Sequence, residues 1–175
     1  AQALFHEHGY DAVSVAALSE ALGINPPSFY AAFGSKAGLF DAVLRRYAAS
    51  ALPLDDILVP GRPIAEALGE LLETAARIYA ADPAAPGCLV LETVRSGAAG
   101  DCSNAALPYR TATRSKVRDF IAASHPRIAD TLAEYVDVTM SGLSASAREG
   151  WNVDRLVAVA RTAALAIPPA LAADG

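Results

Sequence analysis

At 175 residues the chain can bury one substantial core, or a small domain joined to a medium one. Alanine and leucine dominate, aromatics are only 7% and β-branched runs are short, which favours an all-α fold. A net charge of −5 argues against a generic nucleic-acid binder, whose footprint is basic, and no apolar run approaches the roughly 18 residues that span a bilayer, so no membrane partner is expected.

The chain opens at Ala1 inside a helical pattern over 1–8, which implies further residues before it. Ser14 can N-cap a second helix over 15–22, where Val15, Leu18 and Leu22 share one face. Gly23 ends it, because glycine takes the left-handed C′ conformation without strain. Asn25 caps a third helix over 26–32, and Pro26 suits its first turn, where an amide hydrogen has no partner. Two short helices around a glycine turn make a helix-turn-helix, the unit that sets its second helix into the DNA major groove. At about 100° per residue, Phe29 and Phe33 face inward, while Pro27 and Ala31 point outward with Ser28 and Tyr30 beside them.

A fourth helix over 36–50 meets no strong breaker until Pro53 and reads as a rigid rod. A linker with Pro53, Pro60, Gly61 and Pro63 follows, then helices near 64–81, 88–97, 104–123, 127–148 and 154–167, about nine in all. Pro83, Pro86 and Gly87 separate the fifth from the sixth, Gly97 and Gly100 end the sixth, and Pro168-Pro169 are expected to end the ninth. The last two helices carry wide apolar faces: Leu132, Tyr135, Val136, Thr139 and Leu143 on one, Leu156, Val157, Ala160, Ala163 and Ala164 on the other. Such a pair belongs either to a large core or to half of an intersubunit four-helix bundle.

Ser14-Val15, Ala21-Leu22-Gly23-Ile24, Phe29-Tyr30, Phe33, Ser35-Lys36 and Leu39-Phe40 stand in an order and spacing that resembles the DNA-binding end of the TetR family of bacterial transcriptional regulators. A looser resemblance to its C-terminal domain runs through Gly87-Cys88-Leu89 and the segment 142–150. The resemblance implies a three-helix DNA-binding domain over 1–50 and a helical effector-binding and dimerisation domain over 51–175. It implies operator DNA, a second copy of the chain and a small-molecule effector as partners, with no cofactor. Residues matching Ser14, Asn25, Tyr30 and Lys36 commonly touch phosphates in the family, and those matching Pro26, Pro27, Ser28 and Ala31 lie at the bases. The two apolar helices would form the dimer interface. The effector cavity would lie among the fifth to eighth helices, with Tyr79, Arg95, Tyr109, Arg110 and Met140 as contacts.

Residues 1–50 hold three Lys/Arg (Lys36, Arg45, Arg46) against four acids (Glu7, Asp11, Glu20, Asp41). DNA affinity would therefore rest on a few placed contacts and a dimer's doubled site. The groove face has no Arg, Lys or Gln, so a bidentate arginine–guanine contact is unavailable and readout should lean on thymine methyls, Ser28 and DNA shape. His6 and His8 lie two apart, about 200° around a helix, so they cannot grip one metal and are expected to be solvated. Gly34-Ser35-Lys36 ends like a phosphate-binding loop but lacks the earlier glycine, and no nucleophile motif is present. No catalytic residue or metal site is expected. Cys88 and Cys102 read as small buried residues of a cytoplasmic protein, with a thiol sensor as the alternative. The expected function is a homodimeric, ligand-responsive repressor. The alternatives are a dimeric small-molecule-binding protein with weak or lost DNA binding, and a small all-helical enzyme.

Overall fold

The computed structural model of the chain describes residues 1–96 and 101–173. The expected break at Gly97 and Gly100, and the side chain of Cys102, lie outside the described residues. Every regular element among the described residues is helical. Nine helices have eight residues or more: α1 (Gln2–Ala12), α2 (Val15–Leu22), α3 (Pro26–Phe33), α4 (Lys36–Ser50), α6 (Ile64–Tyr79), α7 (Leu89–Ser96), α8 (Asp101–Ala122), α9 (Ala129–Arg148) and α10 (Val153–Ala164). Two short ones, α5 (Leu54–Ile57) and α11 (Ile167–Ala172), are the others among the described residues.

Helices α1 to α4 enclose Phe5, Leu18, Phe29, Phe40 and Leu44, all fully buried. The Phe40 ring meets Phe5 edge-on at 4.8 Å and Tyr10 at 4.9 Å, an aromatic cluster that ties α1 to α4. Gly9 leaves the helical path of α1 at φ 77°, ψ 169°, one residue beyond the predicted end, and the chain resumes for a last turn. Helix α4 runs unbroken from Lys36 to Ser50, as predicted, and lies beside α7 and α8.

Helix α6 is the centre of the larger bundle. Ala67, Leu68, Leu71, Leu72, Ala75 and Ala76 expose nothing, a stripe wide enough to be covered from two sides. Helices α9 and α10 provide that cover, and α8 closes on α7 and α9. The residues expected at the dimer face divide between two environments. Leu132, Val136, Leu143, Leu156, Val157 and Ala160 are all buried within the protomer, so its own core takes them up. Tyr135, Thr139, Ala163 and Ala164 are half-buried; the Tyr135 hydroxyl donates to the Ala163 carbonyl at 2.7 Å and seals α9 to α10. Apolar spacing reveals a buried stripe but not which neighbour buries it. The surface left uncovered is the opposite one, with Val138 66%, Val159 43% and Leu165 74% exposed.

Two further expectations change. Pro168 and Pro169 do not end the ninth helix; α10 stops at Ala164, and the prolines open α11, where a missing amide hydrogen is harmless. The 20-residue helical stretch Val153–Ala172 contains an 18-residue window of mean hydropathy 1.3, enough by length and composition to cross a membrane. Here it is a wall of the bundle: Leu156 and Ala160 bury inward, and Arg161 forks onto Glu73 of α6 with two 3.0 Å bonds.

Candidate DNA-facing surface and effector cavity

The reading helix is set by its caps. The Ser14 hydroxyl accepts from the Ala17 amide at 3.1 Å, and Gly23 sits at φ 67° where α2 stops. The Asn25 side chain accepts from the Ser28 amide at 2.9 Å, with proline at the first turn of α3. The next helix starts in the same way, Ser35 accepting from the Gly38 amide at 3.0 Å. With both ends fixed, α3 can only present one face. Phe29 is fully buried, while Asn25, Pro26, Pro27, Ser28, Tyr30 and Ala31 are all exposed, Tyr30 by 53%. Ser14 is exposed beside them. The structure thus brings seven of the eight predicted DNA contacts onto open surface.

Lys36 differs. Its ammonium donates to the Val13 carbonyl at 2.7 Å and sits 4.2 Å from the centre of the Tyr10 ring. One donor therefore ties α4 to the α1–α2 turn, and the cation rests on an aromatic face. The ammonium has two more protons for an external partner. This contact joins residues 23 apart and has no local signal.

Behind α4 lies a cavity of about 40 Å³. Of the expected effector contacts, Tyr79, Tyr109, Arg110 and Met140 line it; Arg95 does not, because it is exposed and pairs with Glu92 one turn away on α7. Sequence reasoning missed Tyr47, Cys88 and Asp137, which come from α4, the start of α7 and α9. Arg110 forks onto Asp137 with bonds of 2.6 to 3.1 Å and also reaches the Ser141 hydroxyl at 3.4 Å. That pairing raises the Arg110 pKa further. Burial pushes the Tyr79 and Tyr47 phenols and the Cys88 thiol up, so all three stay protonated and uncharged near neutrality. A buried thiol of raised pKa is a packing residue, as expected for Cys88.

The two ends of the molecule meet at α9. The Cys88 amide donates to the Ser144 hydroxyl at 2.9 Å, and that hydroxyl donates to the buried Glu92 carboxylate at 3.0 Å. Arg148 donates to the His6 carbonyl at 3.0 Å. His6 is buried, contrary to the expected solvated ring; its Nε2 lies 3.2 Å from the Pro86 carbonyl and Tyr47 packs edge-on at 5.9 Å. Burial, then the Arg148 charge, lowers its pKa. His8 is exposed, and no cluster able to hold a metal exists among the described residues.

Residues 1–43 match the family described as bacterial regulatory proteins, tetR family. The chain is 47% identical over 168 residues to the HTH-type transcriptional repressor BdcR of Escherichia coli (strain K12), covering 95% of this chain and 85% of that protein. The chain belongs to the TetR family. A second relative, the HTH-type transcriptional repressor ComR of the same organism, is 30% identical over 93% of the chain and 82% of its own length. A cysteine mutant of the TetR family regulator CifR, solved with 26 bp double-strand operator DNA, superposes with a TM-score of 0.81 at 32% identity, covering 96% and 93% of the two chains. A TetR regulator from Rhodococcus sp. RHA1 gives 0.62 at 33% identity over 94% and 93%. As a TetR-family regulator of transcription, the chain has both segments of the looser resemblance in one contact: Gly87-Cys88 is seated on Ser144 and Arg148.

Proposed function

We propose that the chain is a homodimeric transcriptional repressor that releases its operator when a small molecule enters the cavity behind α4. The observation that carries this reading is the division of α3, with Phe29 locked in the core and Pro26, Pro27, Ser28, Tyr30 and Ala31 open on one face. Residues 1–50 form the DNA-binding unit and residues 51–175 the effector and dimer unit. Ser14, Asn25, Tyr30 and Lys36 hold phosphates, and the Pro26–Ala31 face meets the bases. The second copy docks on the uncovered α9–α10 surface around Val138, Val159 and Leu165. The protein acts in the cytoplasm and catalyses no reaction.

A second reading, an effector-binding dimer with weak DNA affinity, is favoured by the near-neutral residues 1–50 and by the engagement of Lys36 with Val13. Titrating the full chain onto DNA from upstream of its own gene across a salt series separates the two. Repression requires a sequence-specific complex whose affinity falls steeply with salt. Absent or salt-independent binding supports the second reading.

A further inference from the structure

Lys36 stands at the first position of α4, beside the positive end of that helix's dipole, where a carboxylate is favoured over a cation. Two groups offset this. The Val13 carbonyl accepts from the ammonium at 2.7 Å, and the centre of the Tyr10 ring lies 4.2 Å from the nitrogen. Both come from one turn: the Val13 amide donates to the Tyr10 carbonyl at 3.3 Å, so residues three apart converge on the same ammonium. The ring is itself fixed. Phe40 packs against it at 4.9 Å and Phe5 stacks on it at 6.0 Å, and both phenylalanines are buried.

Residues 1–50 contain only three Lys/Arg, and of these Arg45 pairs with Asp41 at the surface. Each placed cation therefore carries a large share of any phosphate affinity. Val13 directly precedes Ser14, the exposed N-cap of α2, so the Lys36 ammonium is held at the residue before the Ser14 hydroxyl. A free lysine side chain loses its rotamer freedom when it grips a partner. One already seated between a carbonyl and an aromatic face has lost much of it beforehand.

We infer that Tyr10 is a positioning residue for operator binding: the negative face of its ring holds the Lys36 ammonium ready for a DNA phosphate. This rests on the reading that Lys36 and Ser14 hold phosphates, and adds a residue that acts through Lys36.

The test uses the full chain and DNA from upstream of its own gene, with affinity read by fluorescence anisotropy across a salt series. Tyr10 is replaced by leucine, by phenylalanine and by pentafluorophenylalanine, whose ring keeps the outline but reverses the charge of its face. Each variant is also made together with Lys36→Met and checked for Tm and dimer state. Tyr10→Phe should bind within about twofold of the wild type. The leucine and pentafluoro variants should lose about threefold per DNA-binding unit, roughly tenfold for a dimer. Their salt slopes should parallel the wild type, because the charge remains, whereas Lys36→Met lowers the slope by about one per unit. In the Lys36→Met background all three Tyr10 variants should bind alike, which a packing role alone would not produce. If the leucine variant fails to fold, the phenylalanine and pentafluorophenylalanine proteins carry the comparison, since they share one shape. Equal binding by that pair overturns the inference, as does a Tyr10 effect that persists without Lys36. Full affinity in Lys36→Met removes the phosphate role of Lys36 and the inference with it. A wild type that forms no sequence-specific complex overturns the repressor reading as well, so the failures are told apart.

Discussion

Tyr109 on α8 donates its hydroxyl to the Asp41 carboxylate on α4 across 3.3 Å, so one side chain both lines the cavity and holds the helix behind α3. Burial and the Asp41 charge push the Tyr109 phenol pKa up, keeping the donor intact. Asp41 also meets Arg45 at 3.4 Å on the surface, a contact of little energetic weight. Asp41→Ala should therefore leave stability within about 1 kcal/mol of the wild type. It should weaken the mutual exclusion of effector and operator by roughly two- to fivefold. Operator titrations with and without ligand give the coupling; an unchanged value would remove this contact from the pathway.

Gly87 stands at φ 81°, and a Cβ there would lie 2.9 Å from the Ser144 carbonyl oxygen and 3.0 Å from Arg148 Cγ. Both the left-handed backbone and the close approach require glycine. Gly87→Ala should destabilise the fold by about 2–4 kcal/mol, the sum of a backbone penalty and an overpacking penalty. Urea unfolding measures it, and a loss below 1 kcal/mol would mean that α9 can move away.

His6 makes stability depend on acid. Its folded pKa lies below the ordinary 6.5, through burial and the Arg148 charge. Between the two pKa values the unfolded chain binds the extra proton and the folded chain does not. Stability is thus full above 6.5 and falls as the pH drops below it, by at most about 1.4 kcal/mol per pH unit for one proton. His6→Gln, which keeps a donor for the Pro86 carbonyl, should flatten this part of the profile. Urea midpoints at successive pH values for both proteins provide the comparison, and parallel profiles would assign the acid sensitivity elsewhere.

The dimer surface is tested by contrast. Val138→Glu with Leu165→Glu places charges on exposed positions and should yield folded monomers by light scattering. Leu156→Glu, at a fully buried position, should unfold the protein instead. A stable dimer in the first variant would place the interface on another face.

What could be read from sequence was local. Ser14, Gly23, Asn25 and Pro26 act on neighbours within four residues, so caps and turn were legible, and helical rotation separated Phe29 from Ala31. What could not be read depends on long-range partners. Nothing near Leu156 says that α6, not a second copy, covers it. Likewise His6 meets Pro86, 80 residues on, and Arg148, 142 residues on, so a solvated ring was the natural expectation. The cavity was half legible for the same reason: Arg110 and Met140 follow helical faces toward it, while Arg95 turns to its own helix and Tyr47, Cys88 and Asp137 arrive from α4, the start of α7 and α9.

Repression through this fold requires the open face of α3 to meet the bases of an operator. Ala31 is exposed at the middle of that face, and glutamate there keeps the helix while placing a carboxylate in the groove. Operator affinity of Ala31→Glu against the wild type, measured by fluorescence anisotropy at one fixed salt concentration, is the most direct test. A loss of at least about 100-fold is expected, with Tm and effector affinity unchanged. Undiminished operator binding by a folded Ala31→Glu protein would contradict it.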